Sequence, residues 1–495
     1  MSNTSTKASP SDVLFGVSWL GVSNLSTKLL WAASVMVLTR GLGPAGYGQL
    51  AAIWAYAGLA TGITDLGAGQ AMFRTGSRTP ELLRGYFKVS LRLKGALTLI
   101  LWGTVVAMCV LLLDRQVTRL PAWLALIVLA SGSQLLDHFH SFFAYIMQLH
   151  GRVDLHAKLR TAGFAVSLVA FWAIISSGGE ALAISAVHVS ITAIFIILYG
   201  WRARTLLRSA SPQDPGSPAV RSLIRQGAPF AAMSLLNLAY SRVDVALLAV
   251  LGSMDAAGIY SAQYQLIALL YSIPGILMTI MMPFLYRACG DVEYLQLSFR
   301  RITRYLNIVA WLVTPALFFG SEQIMHLVGG PAFTREHTSL RVLSLMVPLF
   351  VFTAALDFLV AVDRMRWRIF CDSTAVFITI IGGSLVIPAF STVGMAAIAV
   401  SGFFISGAIA LARLSATRTL VLGPPLRDSS YMSVLIAPSL LIFSLSQLTW
   451  WIRYMLYCTS AVVTLTVCRF WDEGDKLVFK QYIQLLRRAY GRSAG

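Results

Sequence analysis

Apolar side chains run along this chain in blocks of about 20 residues, separated by short connections rich in Arg, Gly, Pro and Ser. A helix rising about 1.5 Å per residue needs about that many to cross a hydrocarbon layer about 30 Å thick. Each block therefore predicts a membrane-spanning helix. The blocks fall at 15–39, 47–71, 93–114, 122–148, 161–178 and 181–201, then at 227–251, 256–284, 305–328, 341–363, 371–389 and 393–413, with a last pair at 432–449 and 451–470. The expected fold class is all-α: a polytopic membrane protein of about 14 transmembrane helices, in two six-helix lobes plus a C-terminal helix pair.

The division between lobes is read at 202–226, where Pro212, Pro215, Gly216 and Pro218 interrupt any regular element and arginines flank the break. This gives an N-terminal lobe (1–201), a cytoplasmic linker (202–226), a C-terminal lobe (227–413), an extra helix pair (414–470) and a basic cytoplasmic tail (471–495). With an even number of spans per lobe, both lobes start on the same side, as parallel repeats about an axis along the membrane normal. Leu42-Gly43-Pro44-Ala45-Gly46-Tyr47-Gly48-Gln49 has a weak echo in Leu251-Gly252-Ser253 followed by Ala257-Gly258-Ile259-Tyr260-Ser261-Ala262-Gln263.

Composition removes the soluble alternatives. The chain is 57% hydrophobic and only 12% charged, against about 25% charged in ordinary soluble domains. Its net charge of +18 invites a nucleic-acid reading until the charges are placed. With the N-terminus inside, 31 of the 39 Lys and Arg fall in connections on that side and six on the other, leaving Lys28 and Arg242 within helices. Such asymmetry orients membrane proteins. It puts both termini in the cytoplasm and explains the charge with no nucleic acid as partner. Five scattered cysteines form no C-x-x-C pair and suggest neither a metal nor a disulfide framework. In the tail Asp472–Arg492, Leu477, Val478, Tyr482, Leu485 and Leu486 alternate with Lys and Arg, as in a basic helix on anionic membrane lipids or, alternatively, a solvated tail.

Charges inside spans cost about 2.5–3.5 kcal/mol on insertion scales and usually face a cavity or a partner. Lys28 and Arg242 each lie about 20 Å into the first span of their lobe, counted from the inner surface. Two cations at matching depth would make a positive patch for an anionic group such as phosphate or diphosphate. The alternative is that each pairs with an acid and only ties helices together. Asn24, Asn237 and Tyr240 join them as candidate substrate-binding residues. Asp244, two residues from Arg242, points elsewhere on the helix, to a partner helix or to a coupling ion. Asp65, Asp137 and Asp357 are the other acids within spans, and Asp137 shares a face with His140. Acid plus histidine suits a proton relay, although a plain helix–helix hydrogen bond needs the same residues. Tyr240, Tyr260, Tyr264, Tyr271, Trp54 and Tyr56 could stack on sugars or simply pack. His188 reads as a packing residue. No P-loop motif and no H-E-x-x-H occurs. The connections on the outer side are short, which disfavours a membrane glycan polymerase or transferase.

The run LTRGLGPAGYGQLAAIWAYAGLATGITDLGAGQAMFR (Leu38–Arg74) resembles the opening of Wzx-type polysaccharide flippases, in the MATE-like MOP superfamily. The resemblance rests on Leu42-Gly43-Pro44 with Tyr47-Gly48, and on Asp65-Leu66-Gly67-Ala68-Gly69-Gln70-Ala71. Tyr240–Leu266 is similar to the family's second-half opening, and Leu327–Phe333 to its turn after the ninth helix. The resemblance implies a two-lobed exporter, not an enzyme, working by alternating access in a bacterial inner membrane. Its cargo would be a polyprenyl-diphosphate-linked oligosaccharide, bound where Lys28 and Arg242 fall. It implies no cofactor beyond H⁺ or Na⁺ coupling, and a polysaccharide polymerase and export machinery as further partners. A MATE-type cation exporter would want a buried acid as its substrate site, whereas each lobe here opens with a base. A peptidoglycan-lipid flippase would share both fold and cationic cavity.

Overall fold

A computed structural model describes residues 10–64, 66–113, 120–210, 220–287, 291–417, 440, 442–443 and 449–467. Lipid offers no hydrogen-bond partners, so a spanning segment must satisfy its own backbone, and the described elements are all helical. In order they are α1 (Pro10–Thr61), α2 (Ala68–Arg78), α3 (Leu83–Leu113), α4 (Leu120–Asp137), α5 (Phe139–Leu149), α6 (Val153–Ser176), α7 (Ala181–Ala210), α8 (Val220–Leu251), α9 (Met254–Arg287), α10 (Val292–Phe319), α11 (Ser321–Gly329), α12 (His337–Ser344), α13 (Val351–Ala361), α14 (Met365–Ala416) and α15 (Trp450–Val467). Eight helical stretches among the described residues are long and apolar enough to cross a membrane. They leave apolar side chains such as Leu99, Leu111 and Leu385 at least two-thirds exposed, as a lipid-facing surface must.

Two of the helices are 52 residues long, and each is broken in the middle. α1 turns at Gly43 (φ 68°), a conformation open to glycine, and Pro44 then supplies no N–H to the preceding turn. α14 breaks at Ser391 (φ 47°), three residues after Pro388. The expected pairs 15–39 with 47–71 and 371–389 with 393–413 are thus limbs of bent helices. The second limb of α1 stops at Thr61, earlier than expected, because Leu66 (φ 47°) and Gly67 (φ 74°) turn the chain into the separate helix α2. The expected span 122–148 is interrupted at His138, and 341–363 at Pro348. The expected span 432–449, apart from residues 440, 442–443 and 449, and the basic tail lie outside the described residues.

One seam joins the N-terminal and C-terminal halves of the chain. The second limb of α1 runs antiparallel along α8. Tyr56 donates its hydroxyl to the Ala246 carbonyl at 3.0 Å, Gly58 lies against Arg242, and Gly62 against Leu235. At one end the contact is reciprocal: a Cβ added at Gly48 would collide with the Met254 carbonyl oxygen, and one added at Gly258 with the Pro44 carbonyl oxygen. At the other end, Gly67 and Gly227 meet backbone to backbone. Small residues allow such approach without loss of helix–helix packing. The halves therefore touch at both ends of the seam. Thr39 and Arg40 add hydrogen bonds across the chain to the Val328 and Leu327 carbonyls of α11, at 2.8 and 2.6 Å. A single apolar core runs through this seam, from Val35 and Leu50 to Leu248 and Tyr260. A second, smaller one gathers Phe87, Phe142, Phe143 and Tyr199 in the N-terminal half.

Candidate functional site

Lys28, on the first limb of α1, is exposed; the charges acting on it are those of Arg242 on α8 and Arg160 on α6. Neither Lys28 nor Arg242 forms an ion pair with an acid among the described residues. Arg242 is half-buried, laid over Gly58, where an added Cβ would come within 3.3 Å of its Nε. Arg242 also acts on the buried Asp244 carboxyl, but neither cation is ion-paired among the described residues, and their mutual repulsion favours an anion between them. Lys28 lies 15 positions before the bend at Gly43, and Gly58, which packs against Arg242, lies 15 positions after it.

Asn24 and Asn237 are exposed on the same two helices. Tyr240 is not brought to Lys28. Its ring faces Phe403 of α14 at 6.2 Å, and its hydroxyl is buried inside the C-terminal half. Asp244 is 1% exposed, accepts from its neighbour Val245 N at 2.8 Å, and faces Tyr260. Of the aromatics considered for sugar stacking, Trp54, Tyr56 and Tyr260 are buried in the core and so are packing residues. Trp31 is partly accessible, 5.7 Å from Trp54 and 6.0 Å from Phe164, whose ring is capped by the Arg160 guanidinium at 4.5 Å.

Asp137 meets Arg160 in a two-pronged pair, at 2.6 and 3.1 Å. His140 Nδ1 contacts the Asp137 carbonyl, and its ring stacks 6.1 Å from that of His156, which approaches the Tyr199 hydroxyl at 3.2 Å. Asp137, His140, Arg160, His188 and Tyr199 line one small cavity among α4, α5, α6 and α7. His188 stands edge-on to Trp54 and Phe171, with Nδ1 buried and unpartnered among the described residues. His138 belongs to a different set: it lies 3.2 Å from Lys94 Nζ, which also donates to Thr64 at 3.2 Å. Asp357 is held by Arg368 at 2.7 Å, and the same guanidinium holds Asp372 at 2.8 Å. Asp65 lies outside the described residues.

Three cations expected in the inner connections are thus inside the bundle: Lys94, fully buried in α3, Arg160 of α6, paired with Asp137 of α4, and Arg368 of α14, paired with Asp357 of α13. Arg368-x-x-x-Asp372 is a helical ion-pair spacing legible in the sequence. So is Gly58-x-x-x-Gly62, the small-residue spacing that admits Arg242 and Leu235 to the seam. Nothing in the sequence signals that Arg160 reaches Asp137.

Residues 13–288 match the family model described as polysaccharide biosynthesis protein. No curated protein sequence matches the chain. Among solved structures, it is similar to the lipid II flippase MurJ in an inward closed conformation, at 11% identity and a TM-score of 0.71, over 90% of this chain and 98% of that one. An inward-facing multidrug resistance MATE family transporter of the MOP superfamily follows at 15% identity and TM-score 0.63, over 79% of this chain and 95% of that one. A MOP superfamily transporter from Pyrococcus furiosus, described by a reversed polarity of its binding pocket, matches at 13% identity and TM-score 0.58, over 82% and 95% of the two chains. At these identities the likeness shows the fold: an all-α, multi-pass membrane architecture.

Proposed function

Because this chain belongs to the polysaccharide biosynthesis protein family, membrane transporters of the MOP superfamily and not enzymes, we propose that it flips a polyprenyl-diphosphate-linked oligosaccharide between leaflets. The direction is inner to outer leaflet of a bacterial inner membrane, for surface or secreted polysaccharide, by alternating access. In this reading fourteen spans form two six-helix lobes and a C-terminal pair, with both termini cytoplasmic. The Gly48–Gly258 crossing is then the outer end of the seam and Gly67–Gly227 the inner end.

The observation that supports the proposal is the Lys28–Arg242 set, ion-paired to no acid among the described residues. One cation comes from the first helix of each half, and no acid among the described residues pairs with either. A diphosphate brings the missing charge, and an arginine can fork onto two of its oxygens. The exposed Asn24 and Asn237 lie within about a turn of these cations and can hydrogen-bond sugar hydroxyls. A cation exporter fits less well, since the first helix of each half carries a base that is ion-paired to no acid among the described residues. Asp137 and Asp357, each held by an arginine, are the groups through which H⁺ or Na⁺ coupling would act.

Arg242→Ala should abolish polysaccharide export while membrane abundance stays normal, and Lys28→Ala should reduce it less completely. The check is surface glycan in the host, alongside flipping of a fluorescent polyprenyl-diphosphate oligosaccharide in proteoliposomes. Normal flipping by Arg242→Ala would remove the diphosphate site. If deletion of the gene in its host spared surface glycans and stopped peptidoglycan synthesis, the cargo would be peptidoglycan lipid.

A further inference from the structure

His188 reads from the sequence as a packing residue, and its ring does pack, 5.9 Å from that of Trp54 on α1 and 5.4 Å from that of Phe171 on α6. Its polar edge is not accounted for by packing. The residue is 9% exposed, and Nδ1 is buried with no hydrogen-bond partner among the described residues. A buried polar atom left in that condition is destabilising unless water reaches it. His188 lines the cavity shared by α4, α5, α6 and α7, which has a volume of about 40 Å³ and takes all of its lining residues from those four helices.

The walls of this cavity carry polar groups along its length. On α7, His188, Thr192 and Tyr199 fall on one stripe of the helix, and on α6 Arg160, Gly163 and Ser167 do the same. Ser167 and Thr192 are 6% and 8% exposed, shut away from bulk solvent. Empty cavities in proteins are apolar, whereas polar ones hold water, each molecule needing about 10–15 Å³ and two to four polar partners. Here there is room for more than one, with His188 Nδ1, Ser167 and Thr192 to hold it. The charged groups around the cavity are engaged with each other: Asp137 of α4 and Arg160 of α6 join through two hydrogen bonds. His140 of α5 has its Nδ1 on the Asp137 carbonyl, and the Tyr199 hydroxyl lies against His156. From α1, the ring that meets His188 is the uncharged Trp54 indole. His188 Nδ1 is thus open to a proton carried in by water.

We propose that this cavity is a hydrated proton site and that His188 is the group that takes the proton. A hydronium reaching the cavity gives its proton to Nδ1 and stays behind as water. Nε2 already bears a hydrogen, so the ring becomes an imidazolium, with the Asp137–Arg160 pair close by as a fixed, neutral couple. Because the ring meets Trp54 on the second limb of α1, its charge is felt by the same helix that carries Lys28. The site stands on the membrane fold and is independent of the cargo.

The test is tryptophan fluorescence of the full-length protein in phosphatidylcholine nanodiscs, titrated from about pH 8 to about pH 4, a range that brackets an ordinary histidine. Subtracting the Trp54→Phe variant isolates Trp54 from the other tryptophans. Its emission should change in a single one-proton step as a charge appears on the ring 5.9 Å away. His188→Gln should lose the step. Ser167→Ala keeps the imidazole and removes one hydroxyl from the water, so it should move the midpoint by about 0.5–1 pH unit. A wild-type titration with no step would overturn the proposal. So would an unchanged step in a folded His188→Gln variant, which would assign the proton to another group. An unmoved midpoint in Ser167→Ala would overturn it too, and that variant answers even if the glutamine one fails to fold. No cargo enters the titration, so its result stands whatever the chain transports.

Discussion

Arg368 shows how much a single buried cation can hold. It bridges Asp357 and Asp372, and all three side chains are at most 22% exposed. Arg368→Gln would leave two carboxylates facing one another without a counter-charge. Removing one partner of a buried pair costs about 3–5 kcal/mol, so the variant should unfold at clearly lower temperature in detergent. Restoring much of the loss by adding Asp372→Asn would locate the cost in the stranded carboxylates. An unchanged unfolding midpoint in Arg368→Gln would mean that the triad is solvated. Such residues were hard to read in advance. A cation within two turns of an apolar run's end can snorkel to the headgroups or turn inward, and its own sequence is the same in both cases. Lys94 turned inward to Thr64 and Arg160 to Asp137, whereas Lys28 is ion-paired to no acid among the described residues.

Among the elements, the bent helix α1 decides the arrangement. Gly43 with Pro44 sets where it turns, and its second limb supplies one face of the seam with α8. Gly48 and Gly258 allow the two halves to cross backbone to backbone, so Gly48→Ala or Gly258→Ala must push the halves apart. Either substitution should reduce glycan export at least tenfold at normal abundance. Gly95→Ala, at a helical glycine with nothing within 4 Å of the added Cβ, should leave it unchanged and favour its helix by up to about 1 kcal/mol. Equal export by all three variants would show that the crossing tolerates a methyl group. The same fourth-to-fifth span pairing of an acid with an arginine recurs in each half, as Asp137 with Arg160 and Asp357 with Arg368. The recurrence is in chemistry and not in register, since 23 positions separate the first pair and 11 the second.

At the scale of the whole molecule, the halves touch at both ends of the seam. If the chain works by the alternating access proposed above, each end must part in turn. A bismaleimide cross-link between Ala45→Cys and Asp255→Cys should hold the Gly48–Gly258 end shut and stop export. A link between Gln70→Cys and Gln226→Cys should do the same for the Gly67–Gly227 end. The check is flipping in proteoliposomes before and after linking, with the unlinked double variants as reference. Transport that survives either link would rule out rocking about this seam.

The amino-acid sequence by itself determined that the chain is a helical membrane protein, because length and hydropathy of each block are local quantities that lipid reads directly. It also placed the turn at Gly43, whose backbone conformation depends on the residue itself. Lys28 and Arg242 were legible as misplaced charges for the same reason. Only the tertiary structure decided which charges are paired. Only the fold shows that Tyr240 faces Phe403 instead of Lys28, and that Arg160 reaches Asp137. Those facts depend on the rotation and offset of one helix against another. These are set by where small residues such as Gly48, Gly58 and Gly67 let backbones meet.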